Sequence, residues 1–378
     1  MDHQETEVRI PAMTAYRLPG WQQAPQWVDV PVPRPRQGEV LVKVGVAGLC
    51  RSDLLMMDAA HGALPFAPPY TLGHETAGWV ERVGAGVTDL RTGDPVLVGM
   101  GPRCGHCDHC LGGAENLCAR GAAGRGHGLD GGLAEYLTVS AREAVRLATL
   151  TPASAAPLAC AGITAYHPVR RLADRLRPGS TTLVIGVGGV GSYAVQLLRQ
   201  LSATRILAVD TTKPRLELAV ELGAHEAMLA GDDLAAHIRE ATGGRGVDVV
   251  LDVVGSQGTV DTALATVRPG GAVAVIGAGG GVARLGWATP KDCEVFVPIS
   301  GTMTELRQLV ALAESGRIRT EVDCFAPDRI TEAYEALRTG QLRGRAVVVM
   351  DERALPEEQL GRSRVQRGRP SRTHLTKE

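Results

Sequence analysis

Residues 181–201 read "TTLVIGVGGVGSYAVQLLRQL", and no other stretch restricts the fold as strongly. A short apolar run fit for a buried strand leads into a glycine-rich turn. Apolar residues at helical spacing follow. Gly186, Gly188 and Gly191 stand at G-x-G-x-x-G. The first glycine makes the turn, the second lets backbone approach a pyrophosphate, and the third lets the helix pack on the strand. The helix N-terminus then presents free N–H groups and a positive dipole end to phosphate. Such a pattern alone is weak, because turns use glycine for other reasons. The next strand, "RILAVD", strengthens it by ending in Asp210. An acidic side chain about 20 residues past the glycines accepts the hydroxyls of an adenosine ribose. A 2′-phosphate would face its fixed charge, so NAD(H) is expected over NADP(H). Thr211, Thr212, Lys213 and Arg215 follow and temper that preference.

Helix and strand keep alternating downstream. "KPRLELAVELGA" reads as helix, "HEAMLA" as strand and "DLAAHIREATGG" as helix, before the strands "GVDVVLDVVG" and "GGAVAVIG". That run predicts an α/β, doubly wound parallel sheet. Before about Ala155 the signals are different. "EVLVKVGVAGLC", "TAGWVERVG", "DPVLVG" and "AEYLTV" are short β runs broken by Gly and Pro, as in a small barrel. After Ser300 come the helices "TELRQLVALAESG" and "ITEAYEALRTG" and the strand "GRAVVVM". "EVFVPIS", residues 294–300, reads as the last strand of the nucleotide sheet and a place for two copies to pair, although Pro298 weakens such pairing. The formal charge of −1 offers no basic field for nucleic acid or a membrane surface. No apolar stretch nears the ~20 residues that span a bilayer, and "MDHQETEVRI" lacks the basic head and apolar run of a signal peptide. A cytoplasmic enzyme is expected.

Half of the eight cysteines lie in "GPRCGHCDHCLGGAENLC". Cys104, Cys107, Cys110 and Cys118 follow C-x2-C-x2-C-x7-C, and the glycines between them permit tight turns. Four thiolates leave no open position, which suits a structural zinc. An iron–sulfur site and a thioredoxin-like pair are the competing readings. Cys50, His74 with Glu75, and Cys160 form a second set of ligand types. Any one of them alone reads as an ordinary core residue. Together, two sulfurs and an imidazole fit a catalytic zinc whose fourth position stays open. Cys293 and Cys324 are expected to be packing residues.

"GLCRSD", "LGHETAG", "CGHCDHCLGGAENLC", "CAGITAY" and "VIGVGGVG", in that order, resemble the zinc-dependent alcohol dehydrogenases of the medium-chain dehydrogenase/reductase superfamily. The likeness runs from about Val8 to Met350. It implies a GroES-like catalytic domain over residues 8–161, completed by 301–350, a Rossmann NAD-binding domain over 162–300, and a flexible tail over 351–378. It also implies that Cys50, His74 and Cys160 hold a catalytic zinc, with Glu75 as a transient ligand and Asp53 orienting His74. Ser52 would bond the substrate oxygen. Thr164 would lie against the nicotinamide, Arg51 and Arg345 near the pyrophosphate, and Arg215 near the adenosine ribose. Gly186, Gly188, Gly189, Val190, Gly191, Asp210, Val254 and Gly277 complete the implied cofactor contacts. Relatives often carry a relay histidine five residues past the first zinc cysteine, where this chain has Leu55. "LLMMDAAHGALPFAPP" points to a hydrophobic alcohol, aldehyde or ketone, and the resemblance implies a homodimer or homotetramer. The alternatives are a zinc-binding reductase of activated C=C or C=N bonds in a natural-product pathway, and a nucleotide-binding protein without turnover.

Overall fold

The computed structural model describes residues 11–121 and 123–356. Contacts divide the chain into two compact units. The first holds the chain up to Pro102, then Arg120–Ala159, and the part from Thr320 onward; the second holds Arg103–Ala119 and Cys160–Arg319.

In the first unit, β1 (Ala12–Leu18) and β2 (Gln26–Pro31) form an antiparallel pair. The organising strand is β3 (Glu39–Gly48). It pairs antiparallel with β4 (Glu75–Val83), which pairs in turn with β5 (Pro95–Val98). On β3's other side runs β6 (Tyr136–Ser140), while β7 (Ala144–Arg146) extends the sheet beyond β5. The alternation legible in "EVLVKV" is a core pattern: Val40, Val42 and Val44 bury one face against Val80, Val96, Val98, Leu137 and Val139. Helix α1 (Arg51–Asp58) starts where β3 ends, which brings Cys50, Ser52 and Asp53 to the end of the sheet.

The second unit opens with α2 (Ala161–Arg171) and then alternates: β8 (Thr181–Ile185), α3 (Gly189–Leu201), β9 (Arg205–Asp210), α4 (Lys213–Glu221), β10 (Glu226–Leu229), α5 (Leu234–Ala241), β11 (Val247–Asp252), α6 (Gln257–Thr266), β12 (Val267–Val275) and β13 (Glu294–Phe296). All six strands are parallel, in the order β10-β9-β8-β11-β12-β13. Every residue of β8 and β11 is buried, as expected of strands covered by helices on both faces. This is the doubly wound sheet that the alternation predicts.

Besides Cys160 and Ala161, which fall in the second unit and not the first, the units differ from the sequence division in three places. Helix α7 (Met303–Glu314), expected in the first unit, packs on α2 in the second. Tyr166 donates to Gln308 Oε1 at 3.0 Å, and His167 Nδ1 lies 3.0 Å from a Glu305 oxygen. The four-cysteine loop also joins the second unit. Asn116 donates to the Ile299 carbonyl at 3.1 Å, and Met303 N–H donates to Glu115 at 2.7 Å. The chain then returns to the first unit with β14 (Val322–Phe325), α8 (Ile330–Thr339) and β15 (Arg345–Val349), and β15 pairs antiparallel with the end of β3. Third, Asp351–Leu355 is packed and not a loose start to the tail. Ala354 and Leu355 are buried, Asp351 binds Lys43, and the Arg353 guanidinium covers Trp79. The rest of the expected tail, from residue 357, and residues 8–10 lie outside the described residues.

Candidate active site

Cys50 caps α1, and the chain's first turn there fixes Asp53. Asp53 Oδ2 accepts from Cys50 N–H at 2.9 Å, while Asp53 N–H donates to the Cys50 carbonyl at 3.0 Å. His74 comes from the turn just before β4 and is fully enclosed. Its Nδ1 lies 3.1 Å from Asp53 Oδ1, and both side chains have no exposure to solvent. This contact occupies one ring nitrogen and leaves Nε2 facing Ser52 Oγ at 3.4 Å. Burial alone would lower the imidazole's pKa, but the Asp53 carboxylate and Cys50 outweigh it and hold it above its ordinary value. Cys160 ends the short helical turn Ala156–Ala159, which packs on β3 and β4. Ligand atoms of Cys50, His74, Glu75 and Cys160 all lie within 4.8 Å of one another. Two sulfurs, a nitrogen with its far side anchored, and a carboxylate in reserve make a donor set suited to zinc.

Glu75 has no solvent exposure, and its Oε2 has no hydrogen-bond partner. A Cβ at Gly48 would overlap its carboxylate, so glycine there makes room for it. Burial pushes the Glu75 carboxyl up to about 8, against the pull of Arg345. Arg345, on β15, donates through Nη2 to Glu75 Oε1 and to the Leu49 carbonyl. The structure thus sets the guanidinium expected near a pyrophosphate beside Glu75, the one carboxylate of this ligand group.

Two side chains here escaped sequence reasoning. Tyr334, on α8, donates to Asp53 Oδ2 at 3.3 Å across 281 residues. It stands at apolar helical spacing with Ile330 and Ala333, so the sequence marks it only as core. His127 lies against His74 with ring centroids 4.4 Å apart and planes tilted by 41°. Burial, with the charge of His74, pushes it down to about 4, and its Nε2 is buried without a partner. The available signal was a polar ring set between Gly126 and Gly128, whose φ angles of 70° and 91° only glycine takes readily.

Cys104, Cys107, Cys110 and Cys118 bring their sulfurs within the same 4.8 Å limit. Backbone N–H groups of Cys104 and Cys107 point at the Cys118 and Cys104 sulfurs, each at 3.4 Å. Hydrogen bonds from backbone N–H groups lower the Cys107 thiol to about 6. None of the eight cysteines forms a disulfide, and Cys293 and Cys324 stand outside both clusters.

In the second unit, α3 begins directly at Gly189. A Cβ at Gly191 would overlap the Gly186 carbonyl, while one at Gly188 would meet nothing within 4 Å. The third glycine is thus demanded by helix–strand packing, and the second leaves an open face at the helix N-terminus beside Val190. Asp210 Oδ2 accepts from Val187 N–H at 2.8 Å, which ties the carboxylate to the glycine turn. Val254 packs against Gly186, and Gly277 against the Val254 backbone. Arg215 lies in the first turn of α4, Thr164 in α2 and Arg51 at the exposed start of α1.

Residues 36–149 match the alcohol dehydrogenase GroES-like domain, and residues 189–315 match the zinc-binding dehydrogenase domain. An alcohol dehydrogenase of Geobacillus stearothermophilus is 34% identical over 340 residues, covering 85% of this chain and 95% of that protein. The chain belongs to the zinc-type alcohol dehydrogenases of the medium-chain dehydrogenase/reductase superfamily. An NAD-dependent alcohol dehydrogenase of Sulfurisphaera tokodaii is 32% identical over 335 residues, covering 85% of this chain and 95% of the relative. The crystal structure of the alcohol dehydrogenase from Aeropyrum pernix superimposes with a TM-score of 0.84 at 36% identity, over 89% of this chain and 99% of that one. A GroES-like domain joined to a Rossmann-like sheet is accordingly this dehydrogenase's architecture.

Proposed function

We propose that this dehydrogenase transfers hydride between NAD(H) and a hydrophobic alcohol, aldehyde or ketone, with two zinc ions per chain. The convergence of Cys50, His74 and Cys160, with Asp53 against the far nitrogen of the imidazole, carries the reading. These three residues would hold the catalytic zinc, with Glu75 as an occasional fourth ligand, and Cys104, Cys107, Cys110 and Cys118 would hold the structural one. Bound zinc supplies Lewis acidity to the substrate oxygen, and bound nicotinamide accepts or returns hydride.

The chain's own residues do the rest. Ser52, whose hydroxyl stands at the His74 Nε2 edge, takes the proton of the substrate hydroxyl in oxidation and returns it in reduction. Leu55 carries no titratable group and cannot take that proton onward from Ser52. Asp53 keeps the His74 tautomer fixed, and Glu75 is held in place by Arg345. Gly186, Gly188, Gly189, Val190 and Gly191 would cradle the pyrophosphate at the α3 N-terminus, and Arg51 would offer it a positive charge. Asp210, with Arg215, would hold the adenosine ribose and favour NAD(H) over NADP(H). Thr164, Val254 and Gly277 would border the cofactor.

Self-association at β13 belongs to the same reading: it is the edge strand of its sheet, and Val297 and Ile299 beside it are 76% and 58% exposed. A reducing, cytoplasmic setting accords with eight cysteines that form no disulfide. Among the described residues no helix is long and apolar enough to cross a membrane. NADH absorbance with a panel of alcohols and ketones, run beside metal analysis, tests the proposal. Reversible oxidation of hydrophobic alcohols with zinc bound is expected. Reduction of an activated C=C bond with its carbonyl left intact, and no alcohol oxidation, would overturn it.

A further inference from the structure

We infer that Tyr334 is a positioning residue for His74, acting through the Asp53 carboxylate. The inference rests on the reading that His74 holds the catalytic zinc. Asp53 is completely buried, so each carboxylate oxygen needs a donor or a charge to offset its lost hydration. Oδ2 receives two donors, Cys50 N–H at 2.9 Å and the Tyr334 hydroxyl at 3.3 Å. With Oδ2 held from two directions, the carboxylate cannot turn freely, and Oδ1 is the oxygen left to face His74 Nδ1 at 3.1 Å. The imidazole's tilt therefore depends on a hydroxyl two contacts away.

Packing fixes that hydroxyl. The Tyr334 ring stacks on Tyr16 with centroids 6.4 Å apart, and Tyr16 meets Trp27 at 5.1 Å. Burial and the Asp53 charge hold the Tyr334 phenol well above its ordinary pKa, so it remains a donor. One turn further along α8, Arg338 pairs with Asp58 at 3.0 Å, at the far end of α1. That pair is exposed and contributes little energy. The C-terminal return thus reaches the metal cluster twice, through Tyr334 at Asp53 and through Arg345 at Glu75. Stacking alone would need only a phenylalanine at 334. The oxygen is the part that touches Asp53.

The test compares Tyr334→Phe, Asp53→Asn, the double variant and Tyr16→Phe by equilibrium competition of zinc against a chromogenic chelator. His74→Ala identifies which of the two metal transitions belongs to the Cys50 site, and Tm reports folding. Removing a direct partner of a metal-bound histidine costs about 10–100-fold in affinity. Tyr334 acts one contact further out, so Tyr334→Phe should weaken zinc roughly 3–10-fold. The double variant should match Asp53→Asn, because the hydroxyl has then lost its target. Tyr16→Phe keeps the same aromatic stack, removes a hydroxyl bonded to Thr331 and not to Asp53, and should leave zinc affinity unchanged. Unchanged or tighter binding in Tyr334→Phe would overturn the inference, as would full additivity with Asp53→Asn or an equal loss in Tyr16→Phe. If His74→Ala and Asp53→Asn also leave both transitions intact, the reading of the metal site itself has failed, which is a different result from Tyr334 alone being silent.

Discussion

Replacing Cys118 by serine should release the loop Arg103–Ala119 while leaving the parallel sheet folded. A structural zinc in such a site contributes about 10–16 kcal/mol of apparent binding energy. What else holds the loop can be counted from its contacts. The charged Glu115 acceptor of Met303 N–H, at 2.7 Å, is worth about 1.5–3 kcal/mol, and the Asn116 bond to Ile299, at 3.1 Å, about 0.5–1.5 kcal/mol. Ordering one residue's backbone costs about 1–2 kcal/mol, so these two bonds offset the ordering of only two or three residues. Apolar burial adds little, because Leu111 and Leu117 are 73% and 48% exposed. The loop's own backbone bonds, such as Leu111 N–H to Cys107 and Ala114 N–H to His109, close only short turns, so without the ion little fixes the loop as a whole. Amide hydrogen exchange reads this directly. Amides of 104–118 should exchange near the unfolded rate in Cys118→Ser, while those of β8, β9, β11 and β12 keep their protection. Cleavage at Arg103 and Arg120 by trypsin should accelerate in parallel. A variant that has lost one zinc yet protects its loop amides like wild type would refute the reasoning.

Asp210→Ala removes a charged acceptor of the ribose hydroxyls, so NADH should lose about 1.5–3 kcal/mol of binding, roughly 10–100-fold, while NADPH loses less; the ratio of kcat/KM values checks it, and a wild type that already favours NADPH would contradict it. Asp248 gives a pH prediction. Burial alone would raise its carboxyl, but Thr181 N–H, Arg245 and Arg268 outweigh that and hold it below its ordinary value. A depressed folded pKa stabilises above the unfolded value and is lost as pH falls through the folded one. Asp248→Asn should therefore lower Tm at neutral pH, with the gap to wild type closing on acidification below the ordinary carboxylate range; a gap independent of pH would refute it. His127→Phe keeps a ring against His74 and removes a buried nitrogen without a partner, so stability should rise by about 1–2 kcal/mol in denaturant titration, with zinc content unchanged.

The nucleotide-type sheet was legible because its strands are buried on both faces and its helices are amphipathic, so the hydrophobic period switches visibly at each element. The two groups of ligand-type side chains that the structure brings together were legible because cysteine and histidine at those spacings suit metal binding. Contacts between residues distant in sequence were not. "TELRQLVALAESG" announces a helix, but its partner is set by Tyr166 and His167, whose polar ends meet Gln308 and Glu305. The four-cysteine loop interrupts the first unit in sequence, yet Asn116 and Glu115 bind 299 and 303. Tyr334 reads as core because it is core, and only its oxygen has a second role. Asp351–Leu355 opens a stretch whose basic composition reads as tail, and its packing depends on Lys43 and Trp79 of the first sheet.

The central claim is that Cys50, His74 and Cys160 share one ion. Zinc per chain, measured beside equilibrium NADH binding, tests it most directly. The wild type should hold two zincs, and Cys50→Ser, His74→Ala and Cys160→Ser should each hold one, bind NADH normally and lose turnover. Any of the three variants that keeps two zincs and near-normal turnover contradicts the account.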